Sequence, residues 1–279
     1  MKSKRHLFLF FLILFLIHWA HAQDNLPFYL TDRGHGLATS MFGTYITEGQ
    51  IILYPFYEFY YDKDAEYGPV EFGYELDADF RGLFRAHEGL VYFAYGLSDY
   101  FALEIEAAYI SAEQHKSKDD PTAMPNKIKE SGIGDVESQL RWRWNKETES
   151  SPEIFSYFET VFPLQKRRQL IGTQEWEFKL GSGLVKGFRW GTMSIRLAFE
   201  YVTEENKVEF GEYAVEYLKR VSDFFRFYIG IEGSQDEIEF ITDFQFSVFK
   251  NGFIRINNAF GMTSKATDYA PEIGILFYF

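Results

Sequence analysis

The stretch Pro271-Glu272-Ile273-Gly274-Ile275-Leu276-Phe277-Tyr278-Phe279 closes the chain. Apolar side chains recur at 273, 275, 277 and 279, the period of a strand with one apolar face. A terminal strand that ends on an aromatic reads as the closing strand of an outer-membrane β-barrel. A closed barrel is the one β architecture that satisfies all its backbone hydrogen bonds inside lipid.

The other end points to export. Met1 to Arg5 is basic, Leu7 to Ile17 is an unbroken apolar run, and Ala20-His21-Ala22 supplies small-x-small spacing before Gln23. The run is shorter than the roughly 20 residues of a spanning helix, so residues 1–22 are expected to be a cleaved signal peptide. That leaves a segment over 23–47 ahead of a barrel over 48–279. With no cysteine in the chain, a lipid-modified N-terminus, a disulfide and a thiolate metal site are all excluded.

Removing Lys2, Lys4 and Arg5 with the signal leaves 25 basic against 41 acidic residues, a formal charge of −16. This argues against nucleic acid as a partner. Aromatic residues make up 20% of the chain, although no later stretch approaches a transmembrane helix. Barrels combine these properties, because lipid-facing and lumen-facing residues alternate and aromatics gather at the two interfaces.

Period-2 alternation recurs between the ends. In 132–144, Val136, Leu140, Trp142 and Trp144 oppose Asp135, Glu137, Gln139, Arg141 and Arg143. In 191–201, Met193, Ile195, Leu197, Phe199 and Tyr201 oppose Ser194, Arg196 and Glu200. The pattern predicts twelve strands, near 50–61, 85–95, 100–112, 132–144, 153–164, 174–186, 191–203, 211–219, 224–234, 238–249, 253–263 and 271–279. Short turns, as at Gly96-Leu97-Ser98-Asp99, alternate with longer connections near 62–82, 113–131, 165–173, 203–210 and 263–270. The expected fold is all-β: a single transmembrane antiparallel up-and-down β-barrel, short turns periplasmic and long loops outside. A soluble sandwich would also alternate, but the export signal and the apolar, aromatic-rich faces favour the barrel.

Catalytic motifs are few. There is no Gly-x-Ser-x-Gly elbow and no phosphate-binding glycine loop, and after His87-Glu88 the position of a second zinc histidine holds Val91. Beyond the signal only His35, His87 and His115 remain. A lipid hydrolase would need one of them beside a serine such as Ser98 or Ser111 on the outer wall, a pairing the sequence does not display. No enzyme activity, cofactor or metal is expected.

The lumen carries the functional expectation. Alternation turns inward Glu104, Glu106, Asp135, Glu137, Arg141, Arg143, Glu175, Glu177, Lys179, Arg196, Glu200 and Arg226, among others. Acids outnumber bases, so an open pore should prefer cations, whereas acid–base pairs across a narrow interior would occlude it. The segment before the first strand, with Thr31-Asp32-Arg33-Gly34-His35-Gly36, either plugs the lumen or lies in the periplasm. Lys166-Arg167-Arg168, in an outer loop, either hold lipopolysaccharide phosphates or are simply solvated.

Gly132-Ile133-Gly134-Asp135, the Gly96-Leu97-Ser98-Asp99-Tyr100 turn and the terminal Phe together resemble the outer-membrane barrel family of the meta pathway of phenol degradation. The resemblance spans about Leu83 to Phe279. It implies a transporter or channel, with Phe279 as the signal read by the barrel-assembly machinery. The expected partners are outer-membrane lipid and lipopolysaccharide, that machinery, and a small-molecule solute. A structural or adhesion barrel without transport is the alternative.

Overall fold

The computed structural model describes residues 26–173, 175–203, 206–235 and 237–279; the signal peptide reading falls outside them. A short 3-10 turn (Phe28–Leu30) precedes a small hairpin, β1 (Leu37–Ala38) and β2 (Tyr45–Ile46). Twelve long strands follow: β3 (Ile51–Tyr67), β4 (Phe80–Ser98), β5 (Phe101–His115), β6 (Lys127–Asn145), β7 (Glu153–Phe162), β8 (Glu177–Phe188), β9 (Gly191–Val202), β10 (Lys207–Arg220), β11 (Phe225–Ser234), β12 (Glu237–Phe249), β13 (Gly252–Gly261) and β14 (Tyr269–Tyr278). Each pairs antiparallel with its neighbours in sequence, and β14 returns to β3 to close the ring. The register Phe277↔Leu53, Gly274↔Phe56 and Tyr269↔Tyr61 fixes that seam.

All twelve expected strands are present. Four run further than alternation suggested: 62–67, 80–84, 113–115 and 127–131 are strand, not loop. The extensions at 62–67 and 127–131 carry charge on both faces and the shorter ones are interrupted by Gly82 or are wholly polar, so the apolar half of the pattern weakens while the ladder of backbone hydrogen bonds continues. Strand β10 begins before the expected 211 because a bulge between Phe210 and Glu212 breaks the period there.

The outer wall is apolar, with exposed Ile105, Leu180, Leu197, Val215 and Ile273 between the mouths. Aromatics group towards both ends of this belt. On the short-turn side Phe188, Trp190 and Tyr217 stack at 4.8 and 5.8 Å, and Phe249, Phe277 and Phe279 at 5.9 and 6.3 Å. On the long-loop side Phe162, Trp176 and Phe178 form a run, and Tyr61 stacks on Tyr269. An apolar belt bounded by aromatic girdles is the surface a bilayer requires. With the closed ring it identifies a transmembrane barrel of the bacterial outer membrane.

The seam is packed tightly from inside. A Cβ on Gly274 would stand 2.5 Å from Phe56 Cβ and 2.6 Å from the Tyr54 ring. Gly274→Val should therefore destabilise the barrel by about 1–3 kcal/mol through overpacking. A lower urea midpoint of the heat-modifiable band on SDS gels would record it.

Candidate functional site in the barrel lumen

The N-terminal segment fills the short-turn half of the lumen. Leu37 and Ile46 are fully buried, packed with Ile52, Tyr54, Tyr92, Phe155 and Leu276 of the wall. Its backbone is satisfied by wall side chains: Arg141 donates to the Ala38 carbonyl at 3.3 Å, and Gln245 to the Phe42 carbonyl at 2.9 Å. Ser40 donates to Glu104 through both its N–H (3.1 Å) and its hydroxyl (2.5 Å). Gly36 is required at the base of the hairpin: its φ is +119°, and a Cβ would lie 2.7 Å from the Ile46 carbonyl oxygen.

Ion pairs pin the segment at the short-turn mouth. Arg33 reaches Glu147 at 3.0 Å and Glu153 at 2.9 Å, with all three side chains almost fully buried. Arg143 shares Glu153 at 3.3 Å, and Lys186 shares Glu147 at 3.2 Å. On the opposite wall Asp32 meets Lys219 at 3.2 Å and accepts the Arg220 N–H at 2.9 Å. Below the hairpin a vestibule of about 850 Å³ is lined by Arg33, Lys219, Arg220 and Arg226 together with Asp32 and Asp223.

The long-loop half is divided by charge. On one wall every cation is tied to carboxylates: Lys179 to Glu159 (2.9 Å) and Glu212 (3.7 Å), and Arg196 to Glu212, Glu216 (3.0 Å) and Glu232. Glu200 borders this cluster. On the other wall Glu58, Glu88, Glu106, Glu137 and Glu177 line a cavity of about 320 Å³, and none of them makes an ion pair among the described residues. The loop between β7 and β8 roofs this cavity with Gln169 to Thr173. Ile171, buried against Ala86 and Ala112, anchors it.

Most of the sequence-derived set faces inward, but in different roles. Glu106, Glu137 and Glu177 line the anionic cavity, whereas Glu104 is engaged by Arg141 at 3.0 Å and by Ser40. Arg226 lies in the short-turn vestibule, hydrogen-bonded to Gln245 and over the Phe253 ring at 4.2 Å. Asp135 sits at a bulge, where Ala107 pairs with Val136 and Tyr109 with Ile133. Its carboxylate accepts the N–H groups of Leu164 (2.6 Å), Gln165 (3.2 Å) and Thr173 and so ties down the roof loop. Glu175 is displaced from the expected strand: β8 starts at Glu177, and Glu175 accepts from Thr203 at 2.7 Å at the rim. Glu88 was missed because Gly89 and His87 interrupt the alternation around it.

His87 is on the outer wall. Its Nδ1 lies 2.7 Å from Tyr57 Oη, and Ser111 is its register partner on β5, the juxtaposition the sequence did not display. No hydrogen bond joins His87 to Ser111 among the described residues. Nor do those residues hold any group of three or more His, Asp or Glu placed to bind a metal.

No protein-family model matches the chain, and neither does any curated protein sequence. Among solved structures, an outer membrane channel from Pseudomonas putida F1 superposes with a TM-score of 0.62 at 12% identity, covering 87% of this chain and 100% of that one. KdgM porin superposes at 0.52 and 8% identity, covering 82% and 99%, and so does its complex with disordered oligogalacturonate, at 0.51 and 8%, with the same coverage. At these identities the likeness is one of fold: the chain shares the barrel of outer-membrane channels and porins.

Arg33→Ala would leave Glu147 and Glu153 buried with one cation each, Lys186 and Arg143. The expected cost is about 1–3 kcal/mol, that of losing hydrogen bonds to charged groups. Limited chymotrypsin digestion should then cut within residues 26–46 of the folded barrel, at Phe28, Tyr29, Phe42 or Tyr45, where the wild type resists.

Proposed function

We infer that the protein is a passive outer-membrane channel for small solutes, with an outer vestibule that favours cations and an N-terminal hairpin as its gate. One observation carries this reading: counter-charge is distributed unevenly around the lumen. Lys179, Arg196, Arg141 and Arg255 each have a carboxylate within 3.0 Å, while the carboxylates of the 320 Å³ cavity face one another. Rings of unpaired carboxylates concentrate cations at a pore mouth. The architecture shared with the P. putida channel and KdgM supports transport over a purely structural barrel.

The hairpin is held only by side-chain contacts and ion pairs; it adds no strand to the wall. That makes it separable from the barrel without opening the ring. The resemblance to the meta-pathway barrels suggests phenolic compounds and their ring-cleavage products as the first solutes to assay.

Planar-bilayer recordings test the reading. Wild type should show small cation-selective steps, and deleting residues 26–46 should enlarge them. Glu106→Lys with Glu137→Lys should move the reversal potential towards anions. Silence from a folded protein both with and without the hairpin would leave the structural barrel as the correct description.

A further inference from the structure

The outer wall of β4, β5 and β6 carries a cationic field just above the lipid-facing belt, in a chain whose net charge is −13. Register places Arg85, Glu113 and Lys129 side by side on three adjacent strands, with Lys127 one step higher opposite His115. Side chains two apart on a strand share a face, and these share the face of Val91, Tyr109 and Ile133. Those three are 48%, 59% and 57% exposed, as lipid-contacting residues should be. The change from apolar to charged thus falls within a few residues along each strand, at the headgroup level of the outer leaflet.

Among the described residues Glu113 is the one carboxylate that pairs with these cations. It takes both Lys127 and Lys129 at 3.1 Å, and the lysine side chains remain 39% and 63% exposed. Arg85 lies over the Tyr61 ring at 5.4 Å, and its Nε has no acceptor. Two positive charges are therefore left over on the wall itself.

The β7–β8 loop brings more. Arg168 N–H donates to the Gln165 carbonyl at 2.9 Å, closing a turn with Lys166 and Arg167 at its corner. The Arg168 guanidinium donates to the Ser131 carbonyl, fastening that turn beside Lys129 on β6. The exposed corner thus extends the wall's cationic field upwards. The β3–β4 loop at the same mouth is the opposite, with Glu71, Glu75, Asp77 and Asp79 and no basic residue between Gly68 and Asp79.

We propose that this sector is a binding site for the phosphorylated glycolipid of the outer leaflet, lipopolysaccharide. Lys127, Lys129 and Arg85 receive the phosphates of its lipid anchor, the 165–168 turn receives core phosphates above, and Tyr109 and Ile133 pack against the acyl chains. Cations presented several at a time from a rigid sheet suit a multiply phosphorylated headgroup. A singly charged phospholipid would engage only part of the field. The site is on the exterior and does not depend on whether the lumen conducts.

The test is a binding titration of the refolded full barrel in detergent with bisphosphorylated lipid A, dephosphorylated lipid A and phosphatidylglycerol. The variant is Arg85→Gln/Lys127→Gln/Lys129→Gln. The single Lys129→Gln serves if the triple variant misfolds, and Lys250→Gln, at the other end of the barrel, is the control; heat-modifiable mobility reports folding. Affinity for bisphosphorylated lipid A should fall about tenfold or more in the triple variant, the worth of one charge-assisted contact, and stay unchanged in Lys250→Gln. Unchanged affinity in the folded triple variant, or equally tight binding of the dephosphorylated form or of phosphatidylglycerol, would overturn the assignment.

Discussion

In hydrocarbon every backbone N–H and C=O must find its partner within the protein, and the rest of this structure depends on that. It is why β14 must reach β3: at the seam Ile51 N–H donates to the Phe279 carbonyl at 3.0 Å, and Phe279 N–H returns the bond to Ile51 at 2.9 Å. Once the ring is closed, pleating sends alternate side chains to lipid and to lumen, and the two faces obey opposite rules. The lipid face can be uniformly apolar. The lumen face of a twelve-stranded ring is narrow, so charges placed there lie within short reach of one another, whether paired or not.

Those internal pairs specify arrangement more than they stabilise. Burying an ion pair costs about as much in desolvation as it returns, but stranding one partner is expensive. Arg255 and Asp243, 2.7 Å apart and inaccessible to solvent, thus exclude alternative registers of β12 and β13 by the cost of separation. The same logic applies to the N-terminal hairpin. It has few backbone partners of its own, so it occupies the lumen only because Arg141, Gln245 and Glu104 are aimed at its carbonyl, amide and hydroxyl groups.

The strands were legible because two environments imprint one period. Trp142 and Trp144 against Arg141 and Arg143 could belong to little else. Legibility failed where the environments became alike. At 62–67 and 127–131 both faces meet water, so strand and loop have the same composition. Asp135 lines the lumen cavity, as alternation reads it, but a bulge invisible to a period count also makes it an anchor for backbone amides. The partition of the charges was not legible either, since alternation gives the side of the wall and not the neighbour across the lumen. Glu104 and Glu106 look equivalent in sequence; one is engaged by Arg141 and Ser40, and the other faces carboxylates.

The lumen's two halves compensate their charges differently, and the gate reading gives that difference a consequence. Glu58, Glu88, Glu106, Glu137 and Glu177 line the long-loop cavity without ion pairs among the described residues, while in the short-turn vestibule Arg33, Lys219 and Arg220 are each held by a carboxylate. On that reading a cation drawn into the long-loop cavity meets the hairpin and the ion pairs that latch it. Yet Arg33 belongs to the hairpin, and Glu147 and Glu153 belong to the barrel. Withdrawing the hairpin would take Asp32 and Arg33 out together, leaving Glu147 with Lys186, Glu153 with Arg143, and Lys219 without its carboxylate. On that reading steric opening also rearranges the charges of the constriction, because the residues that latch the gate are themselves part of its field.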